Sequence, residues 1–495
     1  MMAAHAAILQ VAIPLAAAPI CILLRRQRLV WAFALAVTWT VFGLSLFLMA
    51  TVLESGEIRY SLGGWTAPWG IELRLDALNA FVLVIVAGIA ALVLPYAPRN
   101  LSSDLRDEDQ YLFFSVFLLC LAGLLGMTIT GDVFNAFVFL EISALSSYVL
   151  ISMGGGRRAL TAAYQYLIMG TIGSTFILIG VGLMYMMTGT LNMTDLAARL
   201  PAVATTRTVL AAFAFLTVGI SLKSALFPLH TWLPNAYTYA PSMVSAFLAS
   251  TATKVSFYFL LRILFSVFGV AYVIDELHVP TILLPFAIVA IFAASTVAIF
   301  QTNVKRLLAY SSVAQIGYMV LGLSFASVTG LTGSIIHLFN HAMMKGALFL
   351  AVGCLALRFG SVELEDLRGA GRRMPWTMAA FVVGGLNLIG VPFTAGFVSK
   401  WYLVLAAIQE GRWLVAALTL LSSLLAAVYV WRVVEVAYFQ EPEERAGGTE
   451  TQEAPWSMLL PTCALAGASL VFGIYPNIPV GIARQAAQTL LEISL

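Results

Sequence analysis

The sequence contains few charged side chains and very few lysines. Charged residues make up 10 % of the 495 residues, and only five of the 26 basic residues are lysines. Hydrophobic residues reach 61 % and the mean hydropathy is +0.94, more than a soluble domain of this length needs for its core. The composition therefore excludes a soluble globular protein and indicates a polytopic membrane protein. The net charge of +2 gives no indication of a nucleic-acid partner.

Signatures of cofactor and metal binding are also missing. The cysteines stand singly in apolar runs without metal-ligand spacing, and we interpret them as packed small side chains: Cys21, Cys120, Cys354 and Cys463. The sequence has no glycine-rich phosphate loop and no cysteine cluster for iron and sulfur. We therefore expect no cofactor and no metal in this chain. Any redox chemistry would lie in a partner chain. Whether this chain is part of an enzyme therefore stays open.

Long apolar runs are what the sequence has in abundance. A helix rises about 1.5 Å per residue, so about twenty apolar residues cross a hydrocarbon layer of about 30 Å. We predict an all-α polytopic membrane protein with about fourteen spans. Their approximate limits are 7–24, 29–53, 77–97, 111–130, 133–153, 161–189, 207–228, 239–265, 281–301, 306–325, 331–357, 375–409, 412–438 and 455–475.

Basic residues predict the orientation of these spans. Arg25, Arg26 and Arg28 follow the first run without a small-residue cleavage site, which indicates a retained helix rather than a signal peptide. With the N-terminus outside, most basic loop residues, including Arg157 and Arg158, fall on the inner side. This positive-inside bias supports both the count and the orientation. We expect a multi-pass protein of a prokaryotic cytoplasmic membrane, in contact with the lipid bilayer.

Two spans are interrupted by proline and glycine, and each contains a lysine. The seventh span carries Lys223 and Pro228, and the twelfth carries Pro392 and Lys400. Proline removes a backbone donor, so both helices are expected to be broken. The breaks are five spans apart, and an odd number of spans reverses orientation, which predicts two inverted five-helix repeats. The predicted units are 1–110, the repeats 111–265 and 281–438, and 455–495 with the last helix and a tail.

Four lysines lie inside apolar runs, where an ammonium group is costly. A desolvated lysine can release its proton whereas arginine effectively cannot, which suggests a proton path. Glu141, in the middle of the fifth span, needs a cation, and Lys223 is its expected partner. A purely structural buried pair is the alternative. Lys254, surrounded by small and hydroxyl residues in the eighth span, is the expected next carrier.

His337, His341 and Lys345 recur every four residues, so they form one stripe on the eleventh span. Titratable groups in line favour a relay over a metal site, because no carboxylate or third histidine is nearby. Lys400 follows on the twelfth span.

Four further residues are weaker candidates, and each has a structural alternative. Arg432 and Glu435 could pair with each other near the inner end of their helix or assist proton exit. Asp132 stands at a span edge, where a carboxylate costs little. His230, just past Pro228, could route protons from the inner surface or serve only in packing.

At this point the sequence resembles a known family. Segments 221–234, 305–312 and 341–345 are similar to signatures of the antiporter-like, proton-conducting subunits of respiratory complex I, membrane-bound hydrogenases and Mrp-type cation/proton antiporters. The resemblance covers about residues 70–440. It implies fourteen helices with inverted repeats and a central hydrophilic axis. On that axis, Glu141 and Lys223 would form the first half-channel and Lys400 would face the exit.

Departures from complex I favour one branch of the family. Complex I members usually carry aspartate and histidine where this chain has Asn235 and Tyr237, and one paralogue has glutamate where Lys400 stands. This pattern is more similar to the MrpD-type subunits of Mrp antiporters and their hydrogenase relatives. It also leaves the inner access route for protons less defined than the central axis.

Three interpretations of the function remain. We expect an ion-translocating subunit of an Mrp-type Na⁺/H⁺ antiporter that moves protons along the lysine axis. The alternatives are an equivalent subunit of a redox-driven hydrogenase or quinone reductase, and a membrane scaffold without transport. The expected partners are other membrane subunits of a hetero-oligomer, protons and Na⁺.

Overall fold

The computed structural model describes residues 2–105, 109–441 and 453–492. In these ranges the regular secondary structure is helical apart from one short pair of strands, and loops and turns connect the helices. The N-terminal elements are α1 (Met2–Leu24), α2 (Gln27–Ser55), β1 (Ile58–Ser61), β2 (Glu72–Leu75), α3 (Ala77–Val93) and α4 (Ala97–Asp104). The two strands pair antiparallel and connect α2 to α3.

The helices of the first predicted repeat are α5 (Gln110–Ile129), α6 (Val133–Ser152), α7 (Gly156–Thr188), α8 (Met193–Arg199), α9 (Arg207–Lys223), α10 (Trp232–Tyr239), α11 (Ser242–Ser250) and α12 (Ala252–Leu261). A π-helical stretch, Arg262–Phe268, continues α12, and a second one, Tyr272–Glu276, leads to the next helix.

The second predicted repeat and the C-terminal part contain α13 (Val279–Ile299), α14 (Val304–Leu323), α15 (Val328–Phe359), α16 (Ala370–Arg373), α17 (Pro375–Ile389), α18 (Ala395–Gln409), α19 (Trp413–Phe439), α20 (Trp456–Ile474) and α21 (Asn477–Glu492). The last of these was expected only as a tail. It buries Ala483, Ala487 and Leu490, and it packs on α15 and α3.

The predicted all-α, multi-pass membrane fold is confirmed. Among the described residues, eleven helical segments are long and apolar enough to cross a membrane. Two of the other predicted spans are short or broken, since α9 has 17 residues and α17 has 15, and the third, α14, has 20 residues but is less apolar. The count of fourteen therefore stays a prediction.

Two parts of the chain make the same backbone contacts at a constant spacing. Asp132 forms an isolated antiparallel bridge with Asn192, and Asn303 forms one with Glu363. Asn303 follows Asp132 by 171 positions, and Glu363 follows Asn192 by the same number. The hydrogen bonds that flank each bridge also recur at this spacing. A duplicated unit produces this pattern, which supports the two predicted repeats, although their boundaries stay a prediction.

Both predicted helix breaks are present. The seventh span stops at the end of α9, and the chain makes turns before α10. The twelfth span stops at the end of α17, and five residues separate it from α18. Each break frees helix-terminal carbonyl groups inside the bundle.

A third break, in the eighth span, was not predicted. The helix stops and restarts at Thr251, which has φ −126° and ψ −59°. The matching stretch of the second repeat, α19, is a continuous helix. Neither proline nor glycine stands beside Thr251, so no breaker residue marks this position in the sequence.

Candidate functional site

Glu141 of α6 and Lys223 of α9 form the ion pair that the sequence predicts. Lys223 Nζ lies 3.6 Å from Glu141 Oε1. Ser174 of α7 donates a hydrogen bond to the same carboxylate oxygen, and Lys223 donates to the hydroxyl of Tyr148 at 3.4 Å. The lysine side chain is 3 % exposed and the glutamate side chain 28 %. The ammonium group is therefore enclosed, while the carboxylate reaches the surface of the protein.

The break after α9 explains why a lysine is tolerated here. Lys223 stands in the last turn of α9, whose carbonyl groups have no partner within the helix. The negative end of the helix dipole favours a cation at this point. The indole of Trp232 donates to Leu222 O at 3.0 Å and satisfies one of these carbonyl groups.

Aromatic side chains lead away from Lys223 into the bundle. The rings of Tyr148 and Tyr166 meet edge to face with centroids 4.7 Å apart. Tyr166 stacks on Trp232 at 3.8 Å, and Trp232 meets Tyr237 edge-on at 6.4 Å. The Tyr237 hydroxyl donates a hydrogen bond to Leu248 O at 3.2 Å. A row of aromatic rings therefore leads from the hydroxyl group beside Lys223 to Tyr237.

Lys254 lies beside the break at Thr251 and is fully enclosed. Its ammonium group donates to Ala249 O, and Nζ lies 3.4 Å from Thr253 Oγ1. The interruption takes the Ala249 carbonyl out of the helical ladder, so the backbone itself holds the ammonium group. The break at Thr251, which the sequence did not predict, therefore supplies the carbonyl group that binds the ammonium group of Lys254.

His337, His341 and Lys345 lie on one face of α15, as their spacing predicts, and all three are fully buried. The two imidazole rings are nearly parallel, with centroids 6.2 Å apart. Lys345 Nζ donates to Leu308 O at 2.8 Å and to Ser311 Oγ at 2.5 Å on α14. Among the described residues, no group of histidine, cysteine and acidic side chains has the arrangement of a metal site.

Lys254 faces the stripe on α15. It interacts electrostatically with both His341 and Lys345. Both ring nitrogens of His341 and the hydroxyl of Ser250 lack a hydrogen-bond partner within the described part of the chain. Buried polar groups pair with protein or with ordered water, so these atoms offer hydrogen-bonding positions for water between the two lysines.

The other end of the stripe reaches Lys400. His337 Nδ1 lies 2.9 Å from Ser399 Oγ, and Ser399 directly precedes Lys400. Lys400 Nζ donates to Ile389 O at 2.8 Å and to Ser423 Oγ at 2.9 Å. Ile389 is the last residue of α17, so a lysine again occupies the carbonyl end of a broken helix.

Tyr318 of α14 packs against both ends of this connection. Its ring centroid lies 5.5 Å from that of His337 and 4.7 Å from Lys400 Nζ. Its hydroxyl group is 2.5 Å from Ser422 Oγ. No pattern in the sequence singles out this tyrosine, because its contacts join three separate helices.

Residues 130–426 match the family described as NADH:quinone oxidoreductase/Mrp antiporter, TM. The chain belongs to this family. The resemblance inferred from the three sequence motifs is thereby confirmed, and the chain is an antiporter-like membrane protein of this family.

Two curated relatives carry different names at similar coverage. The N subunit of the NADH-quinone oxidoreductase of Desulforudis audaxviator (strain MP104C) is 45 % identical over 491 residues, which is 96 % of each chain. The D subunit of the Na(+)/H(+) antiporter of Alkalihalophilus pseudofirmus is 31 % identical and covers 94 % of this chain and 92 % of that protein. The names alone therefore leave the coupling reaction open.

Solved structures show the same fold over the whole chain. A chain of the Mrp complex from Dietzia sp. DQ12-45-1b superposes with a TM-score of 0.90 at 25 % identity, covering 99 % of this chain and 98 % of that one. The archaeal membrane-bound sulfane sulfur reductase gives 0.90 at 31 % identity, with the same coverage. Respiratory complex I from Thermus thermophilus gives 0.76 at 25 % identity, covering 96 % and 99 %. All three are multisubunit membrane complexes.

Two of the weaker candidates in this antiporter-like chain make local contacts away from the buried lysines and histidines described above. Asp132 caps α6 by accepting a hydrogen bond from Asn135 N at 2.7 Å. His230 stacks on Phe227, with ring centroids 5.1 Å apart.

The suggested pairing of Arg432 with Glu435 is wrong. Arg432 donates to Gln301 O at 3.3 Å, and in the described ranges it makes no ion pair with Glu435. Glu435 is exposed on the side of α19. The guanidinium is therefore anchored to a backbone carbonyl on a neighbouring helix end rather than to the carboxylate one turn away.

Sequence reasoning missed one buried ion pair. Arg262 Nη2 lies 2.5 Å from Asp76 Oδ1, with side-chain exposures of 6 % and 8 %. Asp76 also caps α3, and Arg262 donates to the hydroxyl of Tyr258 at 3.1 Å. The two partners are 186 positions apart, so no local pattern in the sequence links them.

Proposed function

We propose that this chain is a proton-translocating subunit of a multisubunit membrane complex. The observation that carries the proposal is the line of enclosed titratable groups from the Glu141–Lys223 pair, past Lys254 and the α15 stripe, to Lys400. Each of these lysines except Lys345 lies at a helix break, and backbone carbonyl groups hold the ammonium groups of Lys254 and Lys400. Charges buried for packing alone have no reason to recur at breaks along one line.

Lysine suits this line because it can release the proton that it holds. Protons reach Lys223 in the first repeat and pass through Lys254 to the face of His341 and Lys345. They leave past Lys400 after the Glu141–Lys223 pair changes. Arginine could not replace these lysines, because it keeps its proton in proteins.

The partly exposed carboxylate gives the pair a role as a switch. Glu141 reaches the surface of the protein while Lys223 is enclosed. A charge that approaches this surface from a neighbouring subunit therefore acts first on the Glu141 carboxylate. Weakening the pair changes the proton affinity of the lysine, because the titrations of interacting groups are coupled. Events in a neighbouring subunit could therefore trigger proton movement inside this one.

Mrp-type Na⁺/H⁺ exchange is the first candidate for the driving reaction. The chain superposes on the Mrp chain with a TM-score of 0.90, against 0.76 for complex I. Asn235 and Tyr237 also depart from the residues that complex I usually carries there. In this form the chain carries protons while Na⁺ moves elsewhere in the assembly.

A redox-driven complex is the second candidate. The relative that is 45 % identical is named as part of a quinone oxidoreductase, and the sulfane sulfur reductase superposes as well as the Mrp chain does. Electron transfer in partner chains would then drive the same lysine line. In either complex we propose a cytoplasmic membrane location, with the N-terminus outside and small multi-span subunits as neighbours.

Proton flux in vesicles that contain the whole complex tests the proposal. We expect Lys223→Arg to lower flux at least about a hundredfold, as loss of a proton-transfer group does. Arg26→Lys, a charge-preserving change in the loop after α1, serves as the control. Native gels establish that each variant assembles.

The outcomes separate the three functions. Flux that depends on Na⁺ and needs no electron donor supports Mrp-type exchange, and flux that appears only with a reductant supports the redox-driven complex. Full flux in an assembled Lys223→Arg variant would refute the relay and leave the scaffold.

A further inference from the structure

A cavity of about 600 Å³ opens where the ends of several helices meet. Its walls are Asn100 of α4, the loop before α7 with the start of that helix, the junction of α10 and α11, the start of α14, and the end of α15 with the loop after it. The walls therefore come from both predicted repeats. None of the residues proposed for proton transfer lines this cavity.

The charged residues that line the cavity are all cations. Arg157 and Arg158 stand at the start of α7, and Lys305 stands at the start of α14. No aspartate or glutamate is among the described lining residues. Within the described part of the chain, neither arginine side chain forms an ion pair or a hydrogen bond. Two exposed guanidinium groups without an acidic partner create a site that favours an anion.

Lys305 is held firmly in the wall. Its side chain is buried, and Nζ donates to Ala240 O at 2.9 Å across the junction of α10 and α11. A buried ammonium group and two exposed arginines therefore line the same cavity.

The loop before α7 leaves room for a ligand. Gly155 and Gly156 adopt φ values of 71° and 77°, which favour glycine, and a Cβ at either position would point into open space. No side chain caps α7, so its first N–H groups add backbone donors to the cations. Ser327, which follows Gly156 by 171 positions in the second repeat, caps α15 with its hydroxyl.

The cavity is amphipathic and lies at the ends of apolar helices. Three helical segments that are long and apolar enough to cross a membrane, Gly156–Thr188, Ser242–Phe268 and Val328–Phe359, begin or end at its walls. Ala356, Leu357 and Val362 line it beside the three cations. An apolar wall next to a cationic one fits a phosphate group that continues into acyl chains, whereas a free phosphate ion would make no use of the apolar wall.

We propose that this cavity binds the phosphate group of an anionic phospholipid, with phosphatidylglycerol as the simplest case. In the orientation proposed above, the cavity faces the cytoplasmic leaflet. The lipid would join α7 to α14 and α15, and it would thus tie the two repeats together on that side. This role is independent of proton transfer, so either proposal can fail without the other.

Lipid retention in the purified complex tests the site. The complex is exchanged into detergent, incubated with phosphatidylglycerol or with inorganic phosphate, washed, and assayed for bound phospholipid and for its thermal unfolding temperature. We expect phosphatidylglycerol to bind and raise that temperature, and phosphatidylcholine to do neither. Arg157→Gln/Arg158→Gln should weaken phosphatidylglycerol binding about thirtyfold, because two cations near an anionic headgroup are lost.

Two further variants keep the result interpretable. Arg25→Gln/Arg26→Gln removes two cations that lie outside the cavity, and it should bind phosphatidylglycerol as the wild type does. Arg157→Lys/Arg158→Lys keeps the charge and should retain most of the binding. Equal binding by wild type and Arg157→Gln/Arg158→Gln would overturn the site. Stabilisation by inorganic phosphate without phosphatidylglycerol binding would overturn the lipid assignment.

Discussion

Ser399 Oγ lies 2.9 Å from His337 Nδ1 and connects the stripe on α15 to the helix that carries Lys400. The serine also donates to Gly396 O at 3.0 Å, one turn earlier in α18. Its hydroxyl is therefore fixed, and it fixes the orientation of the imidazole in turn. Two predicted sites, the histidine stripe and the lysine after the second break, meet through a residue that neither motif contains.

Ser399→Ala should lower proton flux about tenfold, because it removes one hydrogen bond to His337 and leaves Lys400 in place. Ser399→Thr keeps the hydroxyl and should restore most of the flux. Both are measured in vesicles with the assembled complex. Full flux in Ser399→Ala would show that protons pass His337 without this contact.

Gly170→Ala should impair the first pair by displacing Tyr148. A Cβ at Gly170 would lie 2.0 Å from the Tyr148 hydroxyl, which contacts Lys223. Overpacking of this kind costs about 1–3 kcal/mol, so we expect lower flux and a lower unfolding temperature. Gly182→Ala is the matched control in α7, since nothing lies within 4 Å of its Cβ position. If both variants behave alike, the Tyr148 contact is unimportant.

Breaking the buried pair of Asp76 and Arg262 should destabilise the protein. Asp76→Asn leaves the guanidinium without its counter-charge, and we expect the free energy of unfolding to fall by about 3–5 kcal/mol. The double variant Asp76→Asn/Arg262→Met removes both charges and should recover most of this loss. Thermal unfolding of the purified complex measures the effect. A double variant as unstable as Asp76→Asn would contradict the ion-pair explanation.

The two carboxylates of spans five and thirteen should differ in their effect on flux. Glu141→Gln removes the counter-charge of Lys223 and should lower flux at least about tenfold. Glu435 is exposed on α19 and does not pair with Arg432 in the described ranges, so Glu435→Gln should transport normally. Parallel vesicle assays decide this. A loss of flux in Glu435→Gln would place the exit route along α19.

The candidate site could be predicted where its signals are local. The stripe at residues 337, 341 and 345 follows from helical periodicity, and the breaks near residues 228 and 392 follow from proline. The pairing of Glu141 with Lys223 required only that a buried carboxylate needs a cation. The suggested pairing of Arg432 with Glu435 rested only on their closeness in one helix, and it failed because Glu435 is exposed and needs no partner.

The sequence by itself determined the membrane class, the helical fold, the family and the residues that could carry protons. These properties depend on composition, apolar length and short-range spacing, which the order of residues contains directly. The tertiary structure alone decided which side chains meet. The contacts of Ser399 with His337 and of Asp76 with Arg262 span 62 and 186 positions. The helix break at Thr251 is a further example, because no proline or glycine beside it marks the position in the sequence. Packing between helices fixes a break of this kind.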